Sequence, residues 1–126
     1  MGTSCRIAIL YYVDDHDEEH YRSIHCHFDG YLLTTGTRLL KHYNNYKDAL
    51  LLVSLGDIRG LCDTVEETFL EKYDNTTYRD ELGILDLLNT WNTAGETNLY
   101  VFAYDKWWWY DNNKKQFRKL KKIIGW

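Results

Sequence analysis

The sequence predicts an α+β fold: residues 1–126 form a single small domain, a mostly antiparallel sheet of about four strands with helices packed on one face. Three observations predict this fold. The length suits one domain. Apolar residues make up 44% and charged residues 27% of the chain, as in globular proteins. The spacing of apolar residues changes along the chain from the period of strands to that of helices and back.

The first two elements are predicted to be a β-hairpin. Residues 5–13 are apolar at nearly every position, with Ile7 and Ile9 on one face and other apolar side chains between them. This pattern indicates a strand that is buried on both sides. An acidic connection at 14–20 separates it from a second predicted strand at 21–28.

Helical spacing follows in the middle of the chain. Apolar residues recur at three- and four-residue intervals over 37–46 and 48–55. Gly56 stands where a helix of this kind commonly ends in a left-handed residue. Thr64 and Glu67 have the spacing of a capping box, which predicts a helix from there to residue 72.

The second half is predicted to contain one helix, two aromatic strands and a final helix. Leucines and a tryptophan recur at three-residue spacing over 82–91. Strands are predicted at 98–104 and 107–110, joined by the two residues Asp105 and Lys106. An amphipathic pattern over 114–124 predicts the last helix, with its apolar side chains facing the core.

Composition and charge exclude several classes of protein. The three cysteines, Cys5, Cys26 and Cys62, are isolated, which favours reduced thiols in a cytoplasmic compartment over a disulfide framework. There is no apolar run of membrane-spanning length and no leader pattern, so we expect neither membrane insertion nor export. The net charge of −4 argues against general nucleic-acid binding. The basic end at 106–126 is read either as a solvated helix face or as a local anion site.

The most informative segment is Ser23-Ile24-His25-Cys26-His27-Phe28-Asp29-Gly30-Tyr31. In a strand, the two histidines and Asp29 would share one face while Cys26 faces the core. Cys26 is therefore interpreted as a buried, inert thiol, with an imidazole-activated nucleophile as the alternative.

This segment carries a resemblance to a known family. Together with Leu39-Leu40-x-x-Tyr43 and Leu55-Gly56-Asp57-Ile58, it resembles a family of small proteins of tailed bacteriophages and integrated prophages. Members typically read Ser-Ile-Tyr-Cys-His-Trp-Asp-Gly-Tyr-Pro, and the match covers residues 1–61. This chain departs from the pattern with His25, Phe28 and Leu32. The resemblance implies a phage accessory protein with a shared strand-to-helix motif, and it implies no particular activity.

Two histidines in the acidic connection raise the question of a metal. His16-Asp17-Glu18-Glu19-His20 matches the inverted zincin pattern, but that motif works on a helix and this one lies between two strands. A solvated loop is the simpler interpretation. We therefore expect no metal and no cofactor.

The predicted ligand site begins at the end of the second strand. Strand alternation directs His27 and Asp29 to one side. Gly30 lets the main chain turn there, so that Tyr31 and Arg38 can converge on the same space. In a structural alternative, His27 meets a backbone carbonyl, and Asp29 and Gly30 form a turn in which the Asp29 carboxylate caps the next helix.

Aromatic and basic residues from the end of the chain complete this prediction. Consecutive tryptophans at 107–109 must alternate between faces, so we expect at least one side to present an exposed indole, which is covered by a helix, by a second subunit or by a ligand. The predicted ligand-binding residues are His27, Asp29, Tyr31, Arg38, Trp107, Trp109, Lys115 and Arg118.

Three classes of function are compatible with these patterns. The first is a non-catalytic binder that counters a host antiviral defence by sequestering a nucleotide-type signal. The second is a stoichiometric inhibitor of a host defence protein or takeover target. An enzyme or metal-binding protein comes last, because the sequence contains no visible set of nucleophile, base and orienting residue. Copies of the chain are a further expected partner, through the aromatic hairpin.

Overall fold

Six strands form one mixed sheet in the structure, a computed structural model that describes residues 3–126. They are β1 (Cys5–Val13), β2 (Glu19–Cys26), β3 (Arg79–Leu82), β4 (Asn98–Ala103), β5 (Lys106–Asp111) and β6 (Gln116–Lys119). Their order across the sheet is β3-β2-β1-β4-β5-β6. The central strands β1 and β4 are parallel, and the other neighbours are antiparallel.

Five α-helices accompany this sheet. They are α1 (Thr37–His42), α2 (Tyr46–Val53), α3 (Val65–Phe69), α4 (Ile84–Ala94) and α5 (Leu120–Ile124). A π-helical turn, Leu32–Gly36, leads into α1. The N-cap predicted at Thr64 is confirmed, because its hydroxyl accepts a hydrogen bond from the Glu67 N–H at 3.1 Å. The helix ends at Phe69 instead of the predicted residue 72. None of these helices, all within residues 3–126, is long and apolar enough to cross a membrane.

The sheet is covered by helices on both faces. On one face, Ile7 and Ile9 of β1 pack with side chains of α1, α2 and α5. On the other, Ala8 of β1 and Val101 of β4 pack with Leu87 of α4. The prediction that all helices lie on one face is therefore wrong, and the apolar character of both sides of β1 has a direct explanation.

Two strands were not predicted. β3 is short and polar, and Glu81 is its only buried residue, so it lacks the apolar alternation that indicates a strand. β6 occupies residues that the sequence analysis assigns to the last helix. The spacing of apolar residues in this segment is compatible with both a strand and a helix. Pairing with β5 decides the outcome, and α5 begins only at Leu120.

Other boundaries moved by a few residues. β1 has the predicted bounds, and Gly56 has the expected left-handed φ of 96° after α2. The turn between β4 and β5 consists of Tyr104 and Asp105, with φ of 53° and 64°, instead of Asp105 and Lys106. β2 ends at Cys26, so His27 lies just beyond the strand.

Candidate functional site

Asp29 and Gly30 form a turn whose main-chain carbonyls accept hydrogen bonds from side chains. Asp29 has a left-handed φ of 59°, and its carbonyl accepts from the hydroxyls of Thr34 and Thr35, both at 2.7 Å. These bonds support a structural turn, but the expected cap by the Asp29 carboxylate is wrong, because neither the π-helical turn nor α1 has a side-chain cap. The exposed side chain of Tyr31 stands immediately before that turn.

Gly30 is required by close packing. A Cβ at this position would lie 2.8 Å from the Cys5 Cβ and from the Thr3 carbonyl oxygen. Its own carbonyl accepts hydrogen bonds from Asn98 Nδ2 at 2.9 Å and from the Tyr100 hydroxyl at 2.8 Å. The turn is thereby fixed to β1 and β4.

Arg38 is directed to a neighbouring loop. Its guanidinium donates to the Leu61 carbonyl at 2.7 Å and forms an ion pair with Asp63 at 3.2 Å. Within residues 3–126, the hydrogen bonds and ion pairs of Arg38 do not include His27.

The three indoles at 107–109 are buried or half-buried, which agrees with the alternative in which the fold itself covers the aromatic run. Trp107 is 1% exposed, and its Nε1 donates to the Tyr43 carbonyl at 3.0 Å. Trp109 is half-buried, and its Nε1 donates to Asn98 Oδ1 at 3.0 Å. Trp108 is half-buried on the opposite face. Both faces of the sheet are covered, so each indole of the run has a structural partner.

Lys115 and Arg118 belong to the hairpin of β5 and β6. Lys115 Nζ donates to Asn112 Oδ1 at 2.7 Å, and Arg118 lies 3.5 Å from Asp111 Oδ2. Three strands, β1, β4 and β5, separate β2 from β6 in the sheet. Lys115 and Arg118 are therefore far across the sheet from His27.

The structure instead assembles a buried polar chain of Glu81, Ser23, Arg6 and Glu96. Arg6 Nε donates to Glu96 Oε1 at 2.7 Å, and Arg6 Nη1 donates to Ser23 Oγ at 3.0 Å. Ser23 Oγ donates to Glu81 Oε2 at 2.8 Å. All four residues are buried. They come from β1, β2, β3 and the residues before β4, so the sheet topology creates this chain.

Placing these charges in the interior is costly. Desolvation of each ion costs several kcal/mol, and a buried ion pair is often no more stabilising than apolar side chains of the same size. Burial also raises the pKa of Glu81, whose Oε1 has no hydrogen bond. Buried ionisable groups with shifted pKa values occur at functional sites more often than elsewhere, so the point at which this buried polar chain reaches solvent is a candidate functional site.

The buried polar chain reaches the surface at His25. Its Nδ1 lies 2.6 Å from Glu96 Oε2, and its Nε2 lies 3.4 Å from Nδ1 of the exposed His27. The Glu96 side chain is 0% exposed, whereas that of His25 is 26% exposed. The carboxylate thus fixes the orientation of an imidazole whose far edge faces solvent.

Three further side chains surround these histidines. The Phe28 ring lies 4.5 Å from the His27 ring, and the Tyr73 ring lies 6.5 Å from it. The Arg59 guanidinium stands over Tyr73 at 4.6 Å. We call the set of His25, His27, Phe28, Arg59 and Tyr73 the histidine corner. It combines nitrogen donors with aromatic faces, a pairing that suits an anion joined to a planar ring.

Sequence reasoning included His27 but missed Arg6, Arg59 and Glu96. One signal was present for Arg6, because a charged residue in a strand that is apolar on both faces needs a buried partner. The position of its partner Glu96, 90 residues away, follows only from the parallel pairing of β1 and β4.

Within residues 3–126, no group of three or more His, Cys, Asp and Glu side chains could hold a metal ion.

Comparisons with known proteins assign neither a family nor a function to this chain. No family model matches the chain, and neither a curated protein nor a solved structure is significantly similar to it.

Proposed function

We propose that this protein is a non-catalytic binding protein that holds a nucleotide-type anion at the histidine corner. In line with its resemblance to phage accessory proteins, its role is to counter a host antiviral defence by sequestering a nucleotide signal. One observation carries the proposal: the buried polar chain, which packing alone does not require, ends at an oriented imidazole among aromatic and basic side chains.

The nitrogen groups of the corner suit a phosphate. Glu96 occupies Nδ1 of His25, so the outward edge of the ring carries Nε2, which lies 3.4 Å from Nδ1 of the exposed His27. Arg59 directs one donor to the Lys72 carbonyl at 3.3 Å, and a guanidinium has five N–H donors in all. Hydrogen bonds from charged nitrogen to phosphate are stronger than neutral ones.

The aromatic groups suit a base. Phe28 is 44% exposed, and Tyr73 already carries the Arg59 guanidinium on its ring. A base stacked on such a ring contributes about 1–3 kcal/mol to binding, whatever its identity. Stacking of this kind involves a single base, so the proposed site needs no groove of the size that a double helix would require.

A hydrolytic enzyme is the second candidate, because the contact of His25 with Glu96 resembles a general base held by a carboxylate. The partners of the His25 ring argue against a covalent route. They are Glu96 and His27, and neither is a hydroxyl or thiol nucleophile. Binding without turnover therefore has more support.

Calorimetric titration with a panel of mononucleotides, dinucleotides and cyclic nucleotides tests both candidates. We expect saturable binding of at least one of them, and mass spectrometry should recover that ligand intact. His27→Ala and Arg59→Ala should each weaken binding by at least about tenfold without changing the melting temperature. His16→Ala, at the exposed tip of the β1–β2 hairpin, is the matched control and should bind normally.

The outcomes separate the alternatives. Recovery of a cleaved ligand would favour the hydrolytic enzyme over the non-catalytic binding protein. An absence of binding across the panel, or an equal loss for the His16→Ala control, would refute the proposal. In a phage-protection assay against a nucleotide-signalled defence, the wild-type protein should restore infection and His27→Ala should not.

A further inference from the structure

A separate cavity opens at the other end of β2, on the face covered by α4. It is open to solvent and has a volume of about 260 Å³. Its apolar lining consists of Val101 and Ala103 of β4 together with Ile84, Trp108 and Phe117. The lining is almost wholly apolar. A cavity of this size accommodates one aromatic ring with a short chain, or a comparable aliphatic group.

A single carboxylate stands at the mouth of this cavity. Glu19 Oε1 accepts a hydrogen bond from the Tyr21 hydroxyl at 2.9 Å, and Glu19 Oε2 accepts one from the Tyr104 hydroxyl. Burial raises the pKa of Tyr21, so its hydroxyl remains a donor at neutral pH. Glu19 forms no ion pair within residues 3–126, so its charge is held in place by neutral groups.

The surroundings of the mouth are also negative. Past Tyr104 the cavity continues into a second opening of about 520 Å³, which Asp17 and Glu18 line beside Glu19. Lys106 Nζ lies 5.9 Å from the centroid of the Trp108 ring, so this indole already has a cation of the protein beside it.

The backbone at Tyr104 gives independent support. This residue has a left-handed φ of 53° in a two-residue hairpin turn, where asparagine or glycine is usual. A bulky side chain there is strained, and such strain concentrates at ligand sites. Here it places the Tyr104 ring, which is 66% exposed, at the cavity mouth, with its hydroxyl on Glu19.

We propose that this cavity binds a small organic cation, an arylalkyl or alkyl ammonium. The apolar part enters between Ile84 and Phe117, and the ammonium group meets the Glu19 carboxylate and the ring of Tyr104. This site is independent of the proposed function, because it lies at the start of β2 and the histidine corner lies beyond its end.

Calorimetry with phenethylamine, and with phenylpropanoate as a probe of the same shape and opposite charge, tests the proposal. Phenethylamine should bind saturably and phenylpropanoate should not. Glu19→Gln should weaken phenethylamine binding by at least about tenfold. Glu66→Gln, an exposed carboxylate on α3, is the matched control and should leave binding unchanged.

Ala103→Phe places a phenyl ring in the lining of the cavity and provides a second variant in case Glu19→Gln does not fold. It should abolish binding while its circular dichroism stays native. Equal binding of the two probes, unchanged binding in both variants, or no saturable binding of phenethylamine would overturn the proposal. Binding of the peptide acetyl-Phe-Lys-amide without binding of phenethylamine would also overturn it, since the cavity would then serve a protein segment.

Discussion

Replacing Arg6 by methionine should destabilise the fold strongly. The substitution keeps the length of the side chain but removes its charge and hydrogen bonds. The Glu96 carboxylate, 0% exposed, would then retain His25 as its partner but lose the ion pair at 2.7 Å. Removing one member of a buried ion pair costs about 3–5 kcal/mol, because the other charge stays in the interior.

The cost is large relative to the stability of a domain of this size, about 5–15 kcal/mol. Urea denaturation at pH 7, followed by circular dichroism, measures it directly. Arg118→Met is the matched control, since Arg118 is 36% exposed in its side chain and lies 3.5 Å from Asp111. That variant should change the free energy of unfolding by no more than about 1 kcal/mol.

A double mutant tests the cause. Arg6→Met combined with Glu96→Gln removes both charges, so the pair of changes should cost less than the sum of the single changes by about 0.5–3 kcal/mol. Strict additivity would refute the reasoning. So would a loss below about 1 kcal/mol for Arg6→Met alone.

Three further variants test the scaffold. Gly30→Ala should lower the free energy of unfolding by about 1–3 kcal/mol, because its Cβ would lie 2.8 Å from a main-chain oxygen; Gly60→Ala, with nothing within 4 Å, should be tolerated, and equal effects would contradict this. Leu120→Ala should cost about 2–5 kcal/mol and the exposed Lys122→Ala almost nothing in thermal denaturation, whereas an unchanged Leu120→Ala would argue against docking of α5. Burial raises the pKa of Glu81, so its carboxyl group keeps its proton to higher pH in the folded protein than in the unfolded chain, and the free energy of unfolding falls as the pH rises above 4.5. Glu81→Gln should flatten this pH dependence. An identical slope in the variant and the wild-type protein would contradict this prediction.

Elements with strong apolar periodicity were predictable from the sequence. The bounds of β1 and the cap at Thr64 follow from local patterns, and both are confirmed. β3 and β6 were not predictable, since each has four residues and becomes a strand by pairing with a neighbour. The placement of helices on both faces depends on which strands lie side by side, and periodicity carries no such information.

The candidate site was predictable only near His27. Alternation along β2 correctly separates the buried Cys26 from the side chain of His25. The partners of these residues come from distant parts of the chain, so no local pattern indicates them. The aromatic run at 107–109 looks too large for one core, but the structure divides it between two: Trp107 and Trp109 pack in one core and Trp108 in the other.

The central position of β1 has a consequence during synthesis. Arg6 and Glu96 are 90 residues apart, so at about 5–20 residues per second β4 emerges roughly 5 to 20 seconds after β1. Until then, one edge of an apolar strand is open to pairing with other nascent chains. The five carboxylates at 14–19 directly follow that strand. Charges in this position repel a second chain, so we expect the acidic hairpin tip to protect the protein from aggregation before β4 is available.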